Sequence, residues 1–442
     1  MSQFIGFPVH DLVEHLKSNL ELGKVMESYF EVAGNDLLYK NGEDDRSWSL
    51  GGENLKILAL GKAACSMAQA MCETLSELQD PVVIEGLAVT KVSHGFEIDG
   101  FEVIESSHPY PSELSVIAAN TVVKTLREWG ANDPVMVLLS GGASALLCSP
   151  GGEISLQEKM DVTKQLLSCA APIQEVNVVR MAISLVKGGS LARQLKSSNC
   201  RVFVASDVVG NDLETISSAP FYGKKPTPSM AIQVLQKYDL MGRVNPHILS
   251  YLAHPIKPQR DKQLEHSILT DCQQAVDLLK EFVSSKGFEV LEFDNLLEGL
   301  SQEIVDLHIQ KLEGRVGTFA LISGGESTIQ LEGNGKGGRN QQFCLEMAIA
   351  LKDAGIDEFY VFSYGTDGTD GPTDAAGGFL DSQDLQSEES VQALKNALKR
   401  NDSYNYLTSR NRLLKTGPTG TNVNDVHLVL VSIPEAIKRG LW

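Results

Sequence analysis

Long apolar runs are missing from this chain of 442 residues. Because no apolar run approaches the length of a membrane-spanning helix, the sequence predicts no such helix. The N-terminal residues have neither the long apolar segment of a secretion signal nor the Arg-rich, acid-poor pattern of a transit peptide. We therefore expect a soluble, cytoplasmic protein with no membrane partner.

Paired cysteines and clustered histidines are also missing. The seven cysteines are odd in number and form no CxxC pair, and the histidines show neither HxxxH nor HExxH spacing. Scattered cysteines in apolar surroundings indicate reduced, buried thiols in a reducing compartment. We expect neither a disulfide framework nor a histidine-based metal site.

Positive charge is scarce. The chain has 38 Lys and Arg against 57 Asp and Glu, a net charge of -19. General nucleic-acid binding needs a basic face, so we expect no nucleic-acid partner. An acidic protein that binds a small anion must concentrate a few cations at one place. Lysines and arginines beside glycine-rich turns are therefore the side chains of interest.

Short β-type runs alternate with helical stretches, after helical spacing over residues 8–39. The β-type runs cover residues 55–60, 82–89, 135–139, 201–205, 266–270, 289–293, 318–322, 358–364 and 427–432. The alternation predicts an α/β fold in which helices cover both faces of parallel sheets. A stretch rich in proline and basic residues, 224–262, predicts a boundary between two domains, 1–255 and 256–442.

The densest group of carboxylates and glycines is GTDGTDGPTDAAGGFLD, residues 365–381. It directly follows the apolar run 358–364, and α/β proteins bind ligands at the C-terminal ends of their strands. Asp367 and Asp370 on such a turn suit Mg²⁺, which is usually held by one or two carboxylates plus substrate phosphates. The alternative is a solvated acidic turn.

Two segments share a strand followed by Ser-Gly-Gly-X-Ser: VMVLLSGGAS (135–144) and TFALISGGES (318–327). We expect two turns, one in each domain, that face each other across a cleft. In the first turn, exposed backbone N–H groups would bind phosphate, although a tight turn without ligand is the alternative. An esterase elbow is excluded because Leu146 stands where that motif needs glycine. The candidate phosphate-binding residues of the first turn are Ser140, Gly141, Gly142 and Ser144.

Lys62 begins a predicted helix, directly after a β-type run. The helix macrodipole there is already positive, so a lysine at this position indicates a nearby anion such as a phosphate. No Gly-Lys pair is followed by the Ser or Thr of a Walker A motif, which excludes a P-loop. The alternative is a surface lysine.

Residues 333–338, GNGKGG, match the G-x-G-x-x-G pattern of dinucleotide sites. The acidic residue that should hold the ribose is not convincing, so this match alone is weak. The plainer interpretation is a mobile glycine loop that carries Gly335 and Lys336 to a nucleotide. Arg339, which follows, is suited to hold a carboxylate or phosphate in bidentate fashion, or forms an ordinary ion pair.

Further carboxylates follow other β-type runs. Asp207 and Glu326 are candidates for a base or a metal ligand, and Asp207 is also suited to cap a helix. In the polar loop 416–425, Asn422, Asn424 and Asp425 either bind ligand or build turns.

Eight segments together resemble, in order, the class II glycerate kinases with a C-terminal MOFRL domain. They are GKAACSMA, SSHPYPSE, LLSGGASALL, EVNVVRMAISLVKGGSLA, SDVVGNDLETISSAP, SGGESTIQLEGNGKGGRNQQ, GTDGTDGPTDAAGG and TGPTGTNVNDV. The resemblance spans residues 10–435. It implies a Rossmann-like N-terminal domain, a smaller α/β C-terminal domain and an active site in the cleft. It also implies ATP- and Mg²⁺-dependent phosphorylation of D-glycerate, on the 2-hydroxyl.

Phosphoryl transfer depends on positioning and charge stabilisation, which suggests a role for each candidate. The residues that the resemblance marks for activity are Lys62, Asp207, Glu326, Arg339 and an aspartate of the GTDG block. Lys62 would neutralise the γ-phosphoryl, Asp207 would orient or deprotonate the hydroxyl, and Asp367 with Asp370 would hold Mg²⁺. Arg339 would grip the glycerate carboxylate or the phosphoryl. Its expected support comes from Lys187 or Lys336, and Glu326 would be a metal or hydroxyl partner.

The chain departs from the family pattern at Ala143 and Ala219, where glycines are usual, and at Met181, where a basic residue is frequent. The two alanines put affinity or specificity in doubt at places where backbone approaches ligand. Two other functions stay open: a nicotinamide-dependent oxidoreductase acting on a hydroxy acid, and a non-catalytic metabolite-binding regulator. Phosphorylation of the 3-hydroxyl also stays open as an alternative, and so does a homodimer.

Overall fold

The chain folds as two compact units. The computed structural model describes residues 4, 6–41, 45–254 and 262–435. The N-terminal unit comprises Leu22–Ser206 and Asn211–Leu269, and the C-terminal unit comprises Thr270–Trp442, Met1–Glu21 and Asp207–Gly210. Helix α1 (Val9–Leu20) therefore belongs to the C-terminal unit. The predicted boundary between residues 255 and 256 falls in the stretch 255–261, outside the described residues, and stays a prediction.

The N-terminal unit is built on a Rossmann-like sheet, as predicted. Its strands are β1 (Phe30–Ala33), β2 (Asp36–Tyr39), β3 (Arg46–Ser49), β4 (Asn54–Leu60), β5 (Val83–Lys91), β6 (Phe101–Ser106), β7 (Val135–Ser140), β8 (Cys200–Ala205) and β9 (Glu265–Thr270). The main sheet has the order β6-β5-β4-β7-β8-β9, and β4 to β8 pair in parallel. The strand order reverses between β4 and β7, which is the switch point where such sheets bind ligands.

Helices cover this sheet because its central strands are apolar on both faces; every residue of β7 is buried. Helix α6 begins at a capping box in which Ser155 and Glu158 bond each other's backbone N–H. The helices of the unit are α2 (Leu22–Tyr29), α3 (Ala64–Leu75), α4 (Glu113–Glu128), α5 (Ala143–Leu146), α6 (Leu156–Ser168), α7 (Ile173–Ala182), α8 (Ser190–Gln194), α9 (Pro228–Lys237) and α10 (Pro246–Ala253).

The prediction of helix from the spacing of residues 8–39 is only partly correct. Helices α1 and α2 are present, but β1 and β2 then form an antiparallel hairpin that the pattern did not predict. Gly34 takes a positive φ of 64° in the turn. Phe30 and Tyr39 on the two strands both pack against Phe203, so tertiary packing overrides the local helical spacing.

The C-terminal unit contains a mixed sheet. Its strands are β10 (Glu289–Glu292), β11 (Leu297–Leu300), β12 (Gly317–Thr328), β13 (Glu358–Gly365), β14 (Gly377–Asp381), β15 (Leu413–Leu414) and β16 (Asp425–Ile433). Their order is β10-β12-β16-β13-β14-β15, with β11 beside the end of β12. Strand β16 is antiparallel to both neighbours, so the expectation of a parallel sheet is wrong for this unit. An apolar run does not reveal the direction in which its strand will pair.

Helices cover both faces of the mixed sheet and enclose a hydrophobic core on each. They are α1, α11 (Cys272–Ser285), α12 (Ser301–Leu312), α13 (Arg339–Asp353), α14 (Glu388–Lys399) and α15 (Ser403–Thr408). In the described ranges, no helix is long and apolar enough to cross a membrane. All seven cysteines are free thiols.

The two Ser-Gly-Gly segments differ in structure. After β7 the chain turns at Gly142, which has a φ of 87°, and enters α5. The second segment is not a turn, contrary to the prediction, because β12 continues through it between β11 and β16. Gly325 allows this pairing: its φ is 145°, and a Cβ there would lie 1.9 Å from the Leu297 carbonyl oxygen.

Candidate functional site

In the N-terminal unit, the turns after β4 and β7 are bonded to each other at the switch point. Lys62 N donates to Gly141 O at 2.9 Å, and Ala63 N donates to Ser140 Oγ at 3.1 Å. A Cβ on Gly61 would lie 2.2 Å from Ser140 Oγ, so only glycine permits this approach. The predicted Lys62 and Ser140–Gly142 segments are therefore brought together, with the Ser140 hydroxyl bonding one turn to the other.

The Lys62 side chain runs beside the Ser-Gly-Gly turn. A Cβ on Gly142 would lie 3.0 Å from Lys62 Cγ and 3.1 Å from His108 Cδ2. Lys62 is half-buried. The glycine turn, the lysine and the imidazole thus converge where the strand order reverses, an arrangement suited to a phosphate chain.

Ser144 and Lys187 also meet. Lys187 Nζ donates to Ser144 O at 2.6 Å, and Arg180 Nη2 donates to Ser144 Oγ at 2.9 Å. Sequence reasoning missed Arg180. One signal could have indicated it: Arg180 lies in the last turn of a helix and is flanked by apolar residues.

Ala219 lies in a strained turn beside Ser140. Ser217, Ser218 and Ala219 all have positive φ, 51°, 60° and 52°. Such conformations cost non-glycine residues roughly 1–2 kcal/mol each. Ser217 Oγ donates to Ser140 O at 3.3 Å, which connects this turn to the glycine turn. Strain held next to a candidate ligand turn is typical of functional sites.

In the C-terminal unit, strand pairing assembles a second group. Asp425, the first residue of β16, pairs with Gly325 of β12 on one side and with Gly365 of β13 on the other. Strands β12 and β13 end at the edge where β16 begins. Glu326, the residue after Gly325 in β12, and the loop that carries Asp367 therefore lie at the same edge of the sheet as Asp425.

Arg339, the first residue of α13, is held by two carboxylates. Nη1 donates to Glu326 Oε1 at 2.7 Å, Nη2 donates to Asp425 Oδ1 at 3.2 Å, and Nε lies 2.7 Å from Asp425 Oδ2. Burial alone would lower the Arg339 pKa, but Asp425 and Glu326 raise it above its ordinary value. A guanidinium carries five N–H groups, so donors remain for a ligand anion.

Asp425 is almost fully buried. Burial raises the pKa of its carboxyl to about 7, although Arg339 and Asn340 oppose the rise. Asn340 Nδ2 donates to Asp425 Oδ1 at 2.9 Å. Asp425 thus holds the guanidinium of Arg339 in place. The sequence alone did not decide whether Asp425 binds ligand or forms a turn.

A buried polar chain orients Asn340. Ser363 Oγ donates to Asn340 Oδ1 at 2.6 Å and lies 2.8 Å from His427 Nδ1. Since the serine has one proton, the His427 nitrogen is the donor to it. Burial lowers the pKa of His427 well below its ordinary value, so this imidazole is neutral. The chain of donors runs from His427 through Ser363 and Asn340 to Asp425.

Asp370 caps helix α13. It is 2% exposed, and its two oxygens accept the backbone N–H groups of Asn340 and Gln341 at 3.0 and 2.9 Å. Helix α13 follows Gly338, which has no side chain to cap it. Burial raises the Asp370 pKa, and these two N–H groups lower it in part. The predicted metal role of Asp370 is untested, and its contacts are those of a helix cap.

Asp367 and Glu326 are more open to solvent. Asp367 is half-buried and accepts Thr369 N at 2.9 Å and Thr369 Oγ1 at 2.8 Å, and the Glu326 side chain is 46% exposed. No group of three or more His, Cys, Asp or Glu suited to a metal occurs in the described residues. Mg²⁺ often takes only one or two protein carboxylates, and the remaining ligands come from phosphates and water. Asp367 fits that kind of site.

Asp207 belongs to the C-terminal unit. Asn422 Nδ2 donates to Asp207 Oδ2 at 3.4 Å, so this carboxylate lies beside the polar loop 416–425. The same loop leads directly into Asp425.

The glycine loop 333–338 packs against the chain after α14. Gly335 N donates to Arg400 O at 2.7 Å, and a Cβ on Gly335 would lie 2.5 Å from that oxygen. Lys336 Nζ lies 4.1 Å from the ring centre of Tyr404. These contacts account for the loop glycines without a dinucleotide, and the mobility expected of the loop stays a prediction.

Comparison with known proteins gives matches to two family models and to relatives along most of the chain. Residues 18–253 match a domain of unknown function, DUF4147, and residues 319–425 match the MOFRL family. D-glycerate 2-kinase of Thermotoga maritima is 37% identical over 85% of this chain and 90% of its own length. A putative hydroxypyruvate reductase of Agrobacterium vitis is 31% identical over 85% of this chain and 98% of its own. The crystal structure of glycerate kinase from Thermotoga maritima aligns with a TM-score of 0.78 at 31% identity, covering 96% of this chain and 98% of that one.

Proposed function

The chain belongs to the glycerate 2-kinase family with a MOFRL domain, and from this membership we infer that it transfers the γ-phosphoryl group of ATP to the 2-hydroxyl of D-glycerate. It is a kinase, with glycerate and ATP as substrates. The observation that carries the inference is the 37% identity to a D-glycerate 2-kinase over 85% of the chain. The two groups of site residues supply the chemistry that such a transfer needs.

The N-terminal unit supplies groups for phosphates. Lys62, with its backbone N–H bonded to Gly141 O, is fixed beside the glycine turn at the switch point. Its ammonium neutralises charge on the transferring phosphoryl group, and the N–H groups of Gly141 and Gly142 bind phosphate oxygens. These contacts strengthen as charge moves to the phosphoryl oxygens in the transition state, which is how positioned cations accelerate such reactions.

The C-terminal unit supplies groups for the small substrate. Arg339 is held by Asp425 and Glu326, so its remaining N–H donors are pre-oriented for the glycerate carboxylate or the phosphoryl group. Asp207 orients or deprotonates the substrate hydroxyl. Because these contacts exist before substrate binds, little reorganisation accompanies the reaction.

Mg²⁺ would be held by Asp367, with Glu326, from the same edge of the sheet, as a second carboxylate. When bound, the ion supplies charge neutralisation across the nucleotide phosphates. Asp367 is favoured over Asp370 because both oxygens of Asp370 are bonded to helix N–H groups. The seven free thiols are consistent with our proposal that the enzyme works in the cytoplasm.

The test is ADP formation by purified protein with ATP and Mg²⁺, with and without D-glycerate. A matched sample with hydroxypyruvate and NADH follows NADH oxidation, because one relative bears the name of a putative hydroxypyruvate reductase. Glycerate-dependent ADP with no NADH oxidation is expected. NADH oxidation without ADP release would instead favour the reductase.

A further inference from the structure

Three cationic side chains, two of them buried, lie close together in the N-terminal unit: Lys159 on α6, Arg180 on α7, and Lys187 in the segment that follows α7. Lys159 and Lys187 are 5% and 2% exposed, and Arg180 is half-buried. We call these three residues the buried cation cluster. Within the described ranges, none of the three forms an ion pair with a carboxylate. Burying positive charge without a counter-ion is strongly unfavourable, so a bound anion would offset this cost.

Every acceptor that the cluster contacts is neutral. Arg180 donates to Asn177 Oδ1 at 3.0 Å and to Ser144 Oγ at 2.9 Å, and Lys187 donates to Ser144 O at 2.6 Å. Lys159 Nζ has no nitrogen or oxygen partner among the residues described. Its side-chain hydrogen-bond partner among these residues is the Cys148 thiol, which leaves further donors of the ammonium without an acceptor.

The charges are close enough to act on one another. Burial lowers the pKa of Lys159 to about 8, the Cys148 thiol raises it and Arg180 lowers it. Burial also lowers the pKa of Lys187 well below its ordinary value, and the charges of Arg180 and Lys159 lower it further. The one acidic side chain that acts on all three cations is the thiol of Cys148.

The cluster lies directly behind the glycine turn. Ser144 follows Gly142 by two residues, is half-buried, and accepts bonds from both Arg180 and Lys187. An anion at this turn therefore reaches Arg180 and Ser144 first, with Lys187 and Lys159 deeper. A forked guanidinium with two ammonium groups suits an oxyanion that has several terminal oxygens.

We propose that the buried cation cluster is a subsite for an oxyanion of a substrate, bound behind Ser144. This rests on the proposed kinase function, in which the oxyanion is a phosphate of the nucleotide or the carboxylate of the hydroxy acid. The bound anion supplies the negative charge that no carboxylate of the described residues provides. Arg180 and Lys159 become binding residues, and Lys187, expected from the sequence to contact the cofactor, acts with them.

The test uses the full chain with Lys159→Met and, as matched control, Lys164→Met, an exposed lysine on the same helix. Melting is followed with and without inorganic phosphate, ADP and D-glycerate. Removing an unpaired buried charge should raise the melting temperature of the ligand-free protein by about 2 °C or more. The same change should at least halve the stabilisation that phosphate gives, whereas Lys164→Met should match the wild type.

Two further measurements complete the test. Arg180→Lys keeps the positive charge but loses the paired N–H donors of the guanidinium, so this variant should bind phosphate more weakly. It keeps the proposal testable if Lys159→Met fails to fold. A tenfold rise in KM for ATP alone would identify a nucleotide phosphate, and a rise for glycerate alone would identify its carboxylate. Equal phosphate stabilisation in the wild type and both cluster variants, with both KM values unchanged, would overturn the proposal. Because phosphate-dependent melting needs no turnover, it tests the subsite even if the protein fails to phosphorylate glycerate.

Discussion

Replacing Asp370 by alanine should destabilise the C-terminal unit without changing the enzyme's need for Mg²⁺. The substitution leaves the backbone N–H groups of Asn340 and Gln341 buried with no acceptor. Each lost partner costs about 1–3 kcal/mol. The gain from no longer burying a carboxylate offsets part of this, so we expect a net loss of about 3 kcal/mol.

A loss of that size lowers the melting temperature by roughly 6–12 °C for a unit of this size. The assay is melting of Asp370→Ala, with Asp370→Asn as the isosteric variant. Asparagine keeps one acceptor oxygen and should show about half the effect, because its amide nitrogen faces one of the two N–H groups.

Asp367→Ala is the matched control in the same loop. Asp367 is only half-buried and its side chain accepts bonds from Thr369 rather than from helix N–H groups, so the melting temperature should fall by only about 1–3 °C. The Mg²⁺ concentration for half-maximal activity should rise at least about tenfold, equivalent to about 1.4 kcal/mol. The reasoning would be refuted if Asp370→Ala melted normally but needed more Mg²⁺, and Asp367→Ala did the reverse.

Other substitutions test the remaining contacts. Lys62→Met should lower kcat and kcat/KM together by about 100-fold or more while the melting temperature stays within about 2 °C, and normal turnover would disprove its role. Gly325→Ala should prevent stable folding of the C-terminal unit, whereas Gly287→Ala, with positive φ but open space around it, should cost only about 1 kcal/mol in urea unfolding. Ala219→Gly should relieve left-handed strain and stabilise the protein by about 1 kcal/mol; a loss of stability would contradict the strain argument. The raised pKa of Asp425 means that the folded chain holds a proton that the unfolded chain releases, so this group destabilises the fold progressively from about pH 4 to about pH 7. The unfolding free energy of the wild type, measured in urea, should therefore fall over that range relative to that of Asp425→Asn. The same pH dependence in both proteins would contradict the prediction.

The strands of the N-terminal unit were readable from the sequence because both faces of a parallel sheet are covered. Their apolar runs are nearly continuous, and β4, β7 and β8 begin and end within one residue of the predicted limits. Pairing direction in the C-terminal unit was not readable, since β16 lies between β12 and β13 through contacts distant in sequence.

Near-identical short segments can also differ in structure. Ser140-Gly141-Gly142 leaves a strand as a turn, whereas Ser323-Gly324-Gly325 stays in β12 because neighbouring strands pair with it. Local residues permit either conformation, and the long-range partners decide between them.

Residue types at the site were predicted more readily than their roles. Lys62, Asp367 and Arg339 stand beside glycine turns that the pattern singles out, but their catalytic roles remain proposals. One feature of the sequence could have predicted the cap formed by Asp370. Helix α13 starts after Gly338, which has no side chain, so the first N–H groups of the helix need an acceptor from another segment. The pairing of Asp425 with Arg339 joins residues far apart in sequence and left no local trace.

The most direct test of the account identifies the phosphorylated product. Purified protein is incubated with ATP, Mg²⁺ and D-glycerate, and enolase is added to one of two matched samples with no mutase present. The account predicts glycerate-dependent ADP in both samples and phosphoenolpyruvate only where enolase is present, which places the phosphate on the 2-hydroxyl. ADP without phosphoenolpyruvate would contradict the 2-hydroxyl assignment, and no glycerate-dependent ADP would contradict the kinase function itself.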